Sequence, residues 1–254
     1  IRQNQLASLP EFLPDSLSIT GLDIAYNYIT SLPVSFGNFS NLLTLNLSHN
    51  QISELPESFT SLSNLYTLDL DDNQLTVLPE NLSAMSQLSW IYVSENQLSE
   101  IPESLFDNSN IQILDFSFNN LLELPDRFDE LPLLFEFHCS HNQISQIPES
   151  FSTSTNVIFV NFANNNLSTL PADFSALNNL MSLNLAENLF TNFPIEIFGL
   201  SELRQLYLHN NQIDEFPAEL TSLGLQKLDL SNNNISSITE TIGEMISLID
   251  FEIS

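Results

Sequence analysis

Very few basic residues and a single cysteine set the first limits on this chain. Lys and Arg total 4 against 32 Asp and Glu, which gives a formal net charge of −28 over 254 residues. Such a charge repels phosphate backbones and anionic lipid surfaces, so nucleic acid is a poor candidate partner and membrane insertion is not expected. The one cysteine, Cys139, excludes a disulfide within these residues and is expected to pack in the core as a small hydrophobic residue.

Glycine is also scarce, and with it the motifs of common catalytic sites. The chain has 5 Gly, and it contains no glycine-rich phosphate loop, no G-x-S-x-G elbow and no H-E-x-x-H helix. No apolar run has the length of a membrane span or the pattern of a signal peptide. The sequence therefore predicts no catalytic residue and no cofactor site within this chain.

What the sequence does have is a strict repeat of asparagines. They stand 23 residues apart, with a last step of 22, at Asn4, Asn27, Asn50, Asn73, Asn96, Asn119, Asn142, Asn165, Asn188, Asn211 and Asn233. Each lies in the frame L-x-x-L-x-L-x-x-N-x-L-x-x-L-P. One instance is Leu42, Leu45, Leu47, Asn50, Ile52, Leu55 and Pro56. A fixed period in this range predicts a solenoid.

The frame also indicates how each repeat folds. Its x-L-x-L-x segment alternates as a short strand does, and these strands are expected to stack in parallel on the concave side. The second half, as in Leu55-Pro56-Glu57-Ser58-Phe59, suits extended or 3₁₀-like convex segments better than long helices. Each repeating asparagine is expected to hydrogen-bond backbone groups of the turn that follows it.

A family resemblance lies in the second half of the repeat joined to L-x-L-x-x-N-x-L. Examples of this half are Ile101-Pro102-Glu103-Ser104-Leu105 and Leu124-Pro125-Asp126-Arg127-Phe128. Over its whole length the chain resembles the leucine-rich repeat family, and within it the 23-residue intracellular subclass. That subclass includes Ras-associated scaffold proteins and repeat domains attached to protein phosphatases of the 2C class, kinases or adenylate cyclases. The resemblance implies an α/β solenoid shaped as a horseshoe. It also implies a protein-binding module, often a regulatory part of a signalling enzyme whose catalytic domain lies elsewhere.

The compartment has two alternatives. Extracellular relatives commonly carry disulfide-bonded caps, which a chain with one cysteine cannot form. Plant extracellular relatives also show an L-x-G-x-I-P motif where this chain has S-E-L-P or S-E-I-P. A cytoplasmic protein is therefore expected. An extracellular or cell-surface recognition domain stays open as the alternative. Formal N-x-[ST] glycosylation matches occur at Asn38, Asn46, Asn81, Asn166 and Asn234.

Residues 1–254 are expected to form a single domain of about eleven repeats. Ile1 occupies the repeat position that Leu47 holds three residues before Asn50, and the chain stops at Ser254 before the next asparagine would come. We therefore expect both ends to fall in mid-repeat, as in a fragment of a longer protein.

The candidate binding residues are those that the repeat frame does not explain, because they face away from the core on the concave strands. Aromatic and apolar side chains are concentrated in the middle repeats, at Tyr66, Trp90, Tyr92, Ile113, Phe118 and Phe159. Polar candidates surround them at Asp69, Asp115, Glu136 and His138. Exposed aromatics with a polar rim are typical of binding hot spots, so a protein partner with a basic, partly apolar surface is expected. The alternative is that these side chains only cover strand backbone.

Two segments resemble metal-binding motifs, but neither predicts a site. Asp69-x-Asp71-x-Asn73 resembles the start of a calcium loop, but Gln74 replaces the glycine that its turn needs. In His138-Cys139-Ser140-His141 strand alternation directs Cys139 to the core and His138 away from it, which separates the potential zinc ligands.

Overall fold

A computed structural model describes residues 2–11 and 18–253 of the chain. The chain divides into two compact units, Ile1–Leu121 and Leu122–Ser254. Both units consist of short parallel strands alternating with 3₁₀ segments, so the predicted architecture is confirmed in each. The expectation of a single domain stays a prediction. The expectation about the ends falls on Ile1 and Ser254, which lie outside the described residues.

Unit 1 contains five strands among its described residues, paired in chain order. They are β1 Gly21–Asp23, β2 Thr44–Asn46, β3 Thr67–Asp69, β4 Trp90–Tyr92 and β5 Ile113–Asp115. Between them lie η1 Val34–Asn38, η2 Glu57–Ser61, η3 Leu82–Ala84 and η4 Glu103–Asp107. Each pairing is parallel and advances by one repeat, as in Leu45 with Leu68 and Leu68 with Ile91.

Unit 2 repeats this arrangement with six strands among its described residues. They are β6 Glu136–His138, β7 Phe159–Asn161, β8 Ser182–Asn184, β9 Gln205–Tyr207, β10 Lys227–Asp229 and β11 Asp250–Glu252. The 3₁₀ segments are η5 Phe128–Glu130, η6 Glu149–Thr153, η7 Phe174–Ala176, η8 Ile195–Gly199, η9 Ala218–Ser222 and η10 Glu240–Glu244. The strands again pair in chain order and in parallel.

Proline sets the start of most 3₁₀ segments. Pro56, for example, precedes η2 with φ −67° and ψ 149°, and its carbonyl accepts the first hydrogen bond from Phe59 N at 2.8 Å. The pyrrolidine ring fixes φ near this value, and the position needs no N–H donor. The chain therefore turns away from the core at a fixed point, and Phe59 is directed into it.

The core of each unit lies between its strands and its 3₁₀ segments. In unit 1, Phe36 of η1 stacks on Phe59 of η2 with ring centroids 6.1 Å apart. In unit 2, Phe137 packs edge-on against Phe128 and Phe151 at 5.2 and 5.5 Å. Cys139 is completely buried, which confirms its predicted core position. The opposite side of each strand points away from this core, and we call it the open sheet face.

Within each unit, the repeating asparagines form a hydrogen-bonded ladder that links one repeat to the one before it. Asn73 Oδ1 accepts a hydrogen bond from Ile52 N at 3.0 Å, and its Nδ2 donates to Leu47 O and Leu70 O at 3.1 and 3.0 Å. The same geometry recurs in both units, for example at Asn50 and Asn188. The expectation that these side chains bond the turn that follows is wrong, because that turn is capped by the next repeat's asparagine instead.

Directly before each of these asparagines the backbone turns left-handed. The φ values lie between 51° and 58° at Gln3, Tyr26, His49, Asp72, Glu95, Phe118, His141, Asn164, Glu187, Asn210 and Asn232. A non-glycine residue in this region carries a cost of roughly 1–2 kcal/mol, which β-branched residues would increase. None of these positions is Val, Ile or Thr. The turn aims the asparagine side chain inward, so its hydrogen bonds offset the local strain.

Candidate partner-binding surface

The register of unit 1 arranges the predicted residues in two rows on the open sheet face. Trp90 pairs with Thr67 on one side and Ile113 on the other. In the second row Tyr92 lies between Asp69 and Asp115. Since adjacent parallel strands are about 4.8 Å apart, Trp90 and Ile113 are direct neighbours, and the Tyr92 ring stands between two carboxylates.

Tyr66 and Phe118 extend this group in different ways. Tyr66 precedes β3, and its ring lies 5.4 Å from that of Trp90 at a tilt of 55°. Phe118 is 47% exposed, and it occupies the left-handed position before Asn119 rather than a strand. A phenylalanine is poorly suited to that conformation, and the core does not require it. Its presence is therefore not explained by the repeat frame.

Trp90 is half-buried, and its indole N–H is its unusual feature. Among the described residues, Nε1 of Trp90 is a buried donor with no hydrogen-bond partner. Buried indole N–H groups ordinarily find an acceptor, and an unsatisfied donor costs about 1–3 kcal/mol. Contact with Tyr66 holds the ring in this place. Stability of the repeat therefore does not account for a tryptophan here.

The two aspartates of the second row also have a local structural role that the sequence did not reveal. Asp69 Oδ1 accepts a hydrogen bond from Asp71 N at 3.1 Å, and Asp115 Oδ1 accepts one from Ser117 N at 2.9 Å. Asparagine makes the same cap elsewhere, as Asn46 does for Ser48 N at 2.9 Å. Aspartate at this position therefore caps a turn and also gives the open sheet face negative charge.

Tyr92 interrupts this series, and a neighbouring residue takes over the cap. A tyrosine has no oxygen that can reach back to the backbone two residues later, so Ser94 N bonds Asp71 Oδ1 at 2.7 Å instead. Burial and the negative charge of Asp69 raise the pKa of the Asp71 carboxyl to about 6, although the hydrogen bonds from Ser94 oppose this. Burial also raises the pKa of Asp69.

We expect Asp71→Asn to stabilise the protein at neutral pH. The folded-state pKa of Asp71, about 6, lies above its ordinary value of 3.8, so the folded state disfavours the ionised form. The resulting loss of stability is complete above about pH 6 and disappears as the pH falls below the unfolded-state value. Asparagine keeps an oxygen for Ser94 N, and we expect a gain of about 1–3 kcal/mol at pH 7. Urea unfolding at several pH values measures it.

The exposed Asp107→Asn variant is the matched control, since it removes one negative charge outside this cluster. The raised pKa of Asp71 would be contradicted if the stability gained by Asp71→Asn stayed constant from pH 7 to pH 4, or if it equalled the gain of the control.

In unit 2 the predicted residues form a smaller group. Phe159 pairs in register with Glu136, and its ring meets that of Phe135 edge-on at 6.1 Å. His138 lies beside Asn161 in the second row, with Nε2 3.3 Å from Glu136 Oε2. Unit 2 therefore has its own exposed aromatic pair, and an acid–histidine contact lies beside it. The prediction that Phe159 and Trp90 belong to one patch stays a prediction.

Each unit also has a depression on its open sheet face, bounded by a tyrosine, which the sequence did not predict. The depression of unit 1 has a volume of about 420 Å³ and is lined by Gly21, Leu22, Asp23, Thr44, Leu45, Asn46, Thr67, Asp69 and Tyr92. That of unit 2, also about 420 Å³, is lined by Glu136, His138, Phe159, Val160, Asn161, Ser182, Asn184, Gln205 and Tyr207. The sequence signal for these depressions was the tyrosine, because Tyr92 and Tyr207 occupy the same repeat position in the two units.

Family models of the leucine-rich repeat match most of the chain. One matches residues 18–75, 55–98, 86–144 and 160–213, and a second matches residues 224–245. A search of curated protein sequences gave no match. In the described ranges 2–11 and 18–253, no helix has the length and apolar character of a membrane span.

Solved structures with the same architecture come from bacteria and plants. A leucine-rich repeat protein of Leptospira interrogans is 27% identical, with a TM-score of 0.87 over 98% of this chain and 70% of that chain. The Arabidopsis receptor kinase HAESA, solved with a peptide hormone and a co-receptor, is 27% identical with a TM-score of 0.81 over 97% of this chain.

The plant peptide hormone receptor RGFR1, solved with RGF2, is 25% identical with a TM-score of 0.77 over 93% of this chain. This chain spans 48% of the HAESA chain and 44% of the RGFR1 chain. Repeat period, strand register, asparagine ladder and family models agree: the chain belongs to the leucine-rich repeat family.

Proposed function

We propose that this chain is a protein-interaction module that holds its partner on the open sheet face of unit 1, around Trp90. Leucine-rich repeat domains generally bind proteins, and the fold itself is non-catalytic. The observation that carries the proposal is Trp90, a half-exposed tryptophan with a buried, unsatisfied indole N–H, which lies beside the exposed Tyr66 and the half-buried Ile113. Tryptophan in such a setting is the residue type most enriched at binding hot spots.

The partner proposed for this face is basic and partly apolar. Tyr66, Trp90 and Ile113 offer the apolar contact, and Asp69 and Asp115 supply negative charge on both sides of Tyr92. Complementary charge of this kind speeds association and rejects acidic competitors. Phe159, Glu136 and His138 of unit 2 are proposed as a further contact region on its own open sheet face.

Within the cell, such a module would act as a scaffold or as the targeting part of a larger signalling protein. The S-E-L-P form of the repeat and the absence of cysteine pairs support this assignment. A second candidate is a cell-surface recognition domain. It is supported by the structural similarity to the receptor kinase HAESA, which was solved with a peptide hormone, and to the peptide hormone receptor RGFR1, which was solved with RGF2.

We expect Trp90→Ala to weaken partner binding at least tenfold, because truncation of a hot-spot tryptophan costs about 2 kcal/mol or more. The unfolding free energy should fall by no more than about 1 kcal/mol, since the side chain lies outside the core. Short peptides selected from a random library against the parent chain serve as ligands, and fluorescence anisotropy measures their affinity for parent and variant.

Tyr28→Ala is the matched control, because Tyr28 is an aromatic residue of unit 1 that is 54% exposed and lies outside the strands. Its removal should leave the affinity unchanged. Equal affinity of the Trp90→Ala variant and the parent, for every selected peptide, would refute the proposed function.

A further inference from the structure

We propose that Ser89 Oγ and Trp90 Nε1 together form a hydrogen-bonding site for backbone carbonyl groups of the partner. This inference rests on the proposed function, because it names the chemistry that the face around Trp90 recognises. Both atoms are buried and have no hydrogen-bond partner among the described residues. They belong to consecutive residues of one repeat, at the start of β4.

Ser89 lies in a row formed by the residue directly before each strand, which we call the entry row. In unit 1, backbone N–H groups of Tyr66, Ser89 and Gln112 donate to the preceding member of this row at 2.8, 3.0 and 2.9 Å, beginning with Leu43 O. Leu43 and Tyr66 are 47% and 38% exposed, whereas Ser89 is 1% exposed. Because the same position is exposed in the preceding repeats, longer side chains around Ser89 account for its burial.

The repeat frame requires neither of these two residues. The neighbouring repeats carry Thr67 and Ile113 at the position of Trp90, and Tyr66 at that of Ser89. A hydroxyl or indole N–H that is buried without a partner loses its hydrogen bonds to water and gains none in return. Two unpaired groups on consecutive residues of a binding face therefore indicate acceptors that the partner supplies.

The charge of this face selects a neutral acceptor. The chain has a formal net charge of −28, and Asp69 and Asp115 lie in the second row on the strands on either side of β4. These groups repel a carboxylate or a phosphate. A peptide carbonyl group is neutral, and its oxygen has two lone pairs that accept from O–H and N–H donors. An extended peptide also offers such a group at every residue.

Tyr66 is the side chain that controls access to the pair. Its ring lies 5.4 Å from the Trp90 ring. Its backbone carbonyl accepts hydrogen bonds from Ser89 N and Trp90 N at 3.0 and 3.1 Å, so its backbone is held beside both residues. The ring itself is at the surface, and exposed side chains change rotamer within nanoseconds. Rotation of the Tyr66 ring therefore uncovers the pair when a partner binds.

The single tryptophan allows the indole N–H to be removed alone. Replacement of Trp90 by benzothienylalanine keeps the shape of the ring and puts sulfur in place of the N–H. Peptides selected from the random library are remade with one backbone amide at a time changed to an ester, which weakens that carbonyl as an acceptor. We expect one ester position to weaken binding to the parent about threefold to tenfold, but to have no effect on binding to the benzothienylalanine variant. The absence of any such ester position would overturn the inference.

Ser89→Ala removes the second group. It should weaken peptide binding about threefold to tenfold and leave the urea unfolding midpoint equal to or above that of the parent, because the lost hydroxyl leaves no partner behind. The same midpoint is expected for the benzothienylalanine variant. A lower midpoint in either variant would mean that the group is already paired through an ordered water, and it would overturn the inference.

Ser152→Ala is the matched control. Ser152 of unit 2 is 4% exposed, and its Oγ also has no hydrogen-bond partner among the described residues. Its substitution removes the same kind of group away from the binding face, so the peptide affinity should stay within about twofold of the parent. An equal loss of affinity in the Ser152→Ala and Ser89→Ala variants would overturn the inference.

Trp90→Ala separates failure of this inference from failure of the proposed function. If Trp90→Ala weakens binding while the benzothienylalanine and Ser89→Ala variants bind as the parent does, the carbonyl site is refuted and the binding face stands. If Trp90→Ala also has no effect, the proposed function fails together with the inference.

Discussion

Asn119→Asp is expected to lower the unfolding free energy by about 3–5 kcal/mol at neutral pH, the range seen when a buried polar network is left with an uncompensated charge. Asn119 is only 7% exposed. Its Oδ1 accepts from Leu98 N at 2.9 Å, and its Nδ2 donates to Val93 O and Phe116 O at 3.0 and 3.1 Å. A carboxylate keeps the first bond, but it turns a second oxygen toward carbonyl oxygens that need a donor.

The adjacent residue provides the control for this prediction. Asn120 is exposed, so Asn120→Asp makes the same chemical change without burial and should alter the unfolding free energy by less than about 0.5 kcal/mol. Chemical denaturation at pH 7 compares the two variants. The account of the ladder would be wrong if both substitutions cost the same.

Leu68→Ala should lower the unfolding free energy by about 2–5 kcal/mol. Leu68 is 2% exposed and lies in β3 with Leu45 and Ile91 as its register partners. Neighbouring repeats hold these side chains in place, so the backbone cannot close easily around the lost volume, and a cavity remains. Thermal and urea unfolding both measure the loss.

Leu43→Ala is the control for this substitution, because Leu43 is 47% exposed and its removal opens no cavity. We also expect the Leu68→Ala variant to bind the selected peptides as the parent does, when affinity is measured at a temperature where this variant is still folded. A Leu68→Ala variant that stays as stable as the parent, or that loses affinity while fully folded, would contradict the division into core and binding residues.

The repeat made most of the fold predictable. A 23-residue period with alternating leucines leaves one side of each strand apolar, so Leu45, Leu68 and Ile91 had to face inward and stack in register. Proline before the apolar turn of most repeats likewise indicated the 3₁₀ segments on the other side. These features depend on residue patterns that recur from repeat to repeat, so a single sequence is enough to show them.

The direction of the ladder bonds and the left-handed turns were not predictable in the same way. Both depend on how one repeat sits over the next, which fixes whether the Asn73 amide reaches Ile52 or its own turn. The left-handed row leaves only a weak signal in sequence, the absence of β-branched residues, and it is filled by residues as different as Phe118 and Glu95.

The strand positions of the candidate residues were predictable from the sequence, but their hydrogen bonds and the shape of the surface were not. Alternation correctly placed Trp90, Tyr92 and Ile113 on the open sheet face of unit 1. It did not reveal that Asp69 caps a turn, that Asp71 replaces the cap missing at Tyr92, or that low side chains beside this tyrosine leave a depression. Those features arise from side-chain hydrogen bonds, which strand periodicity does not describe.

Trp90 is the only tryptophan of the chain, so partner binding around its side chain can be tested at one atom. Incorporation of 5-fluorotryptophan gives a single ¹⁹F resonance, which is recorded while a selected peptide is added. We predict that this resonance shifts saturably, with the same midpoint as the affinity measured by fluorescence anisotropy. Saturated binding by anisotropy with an unmoved ¹⁹F resonance would contradict the claim that partners bind around Trp90.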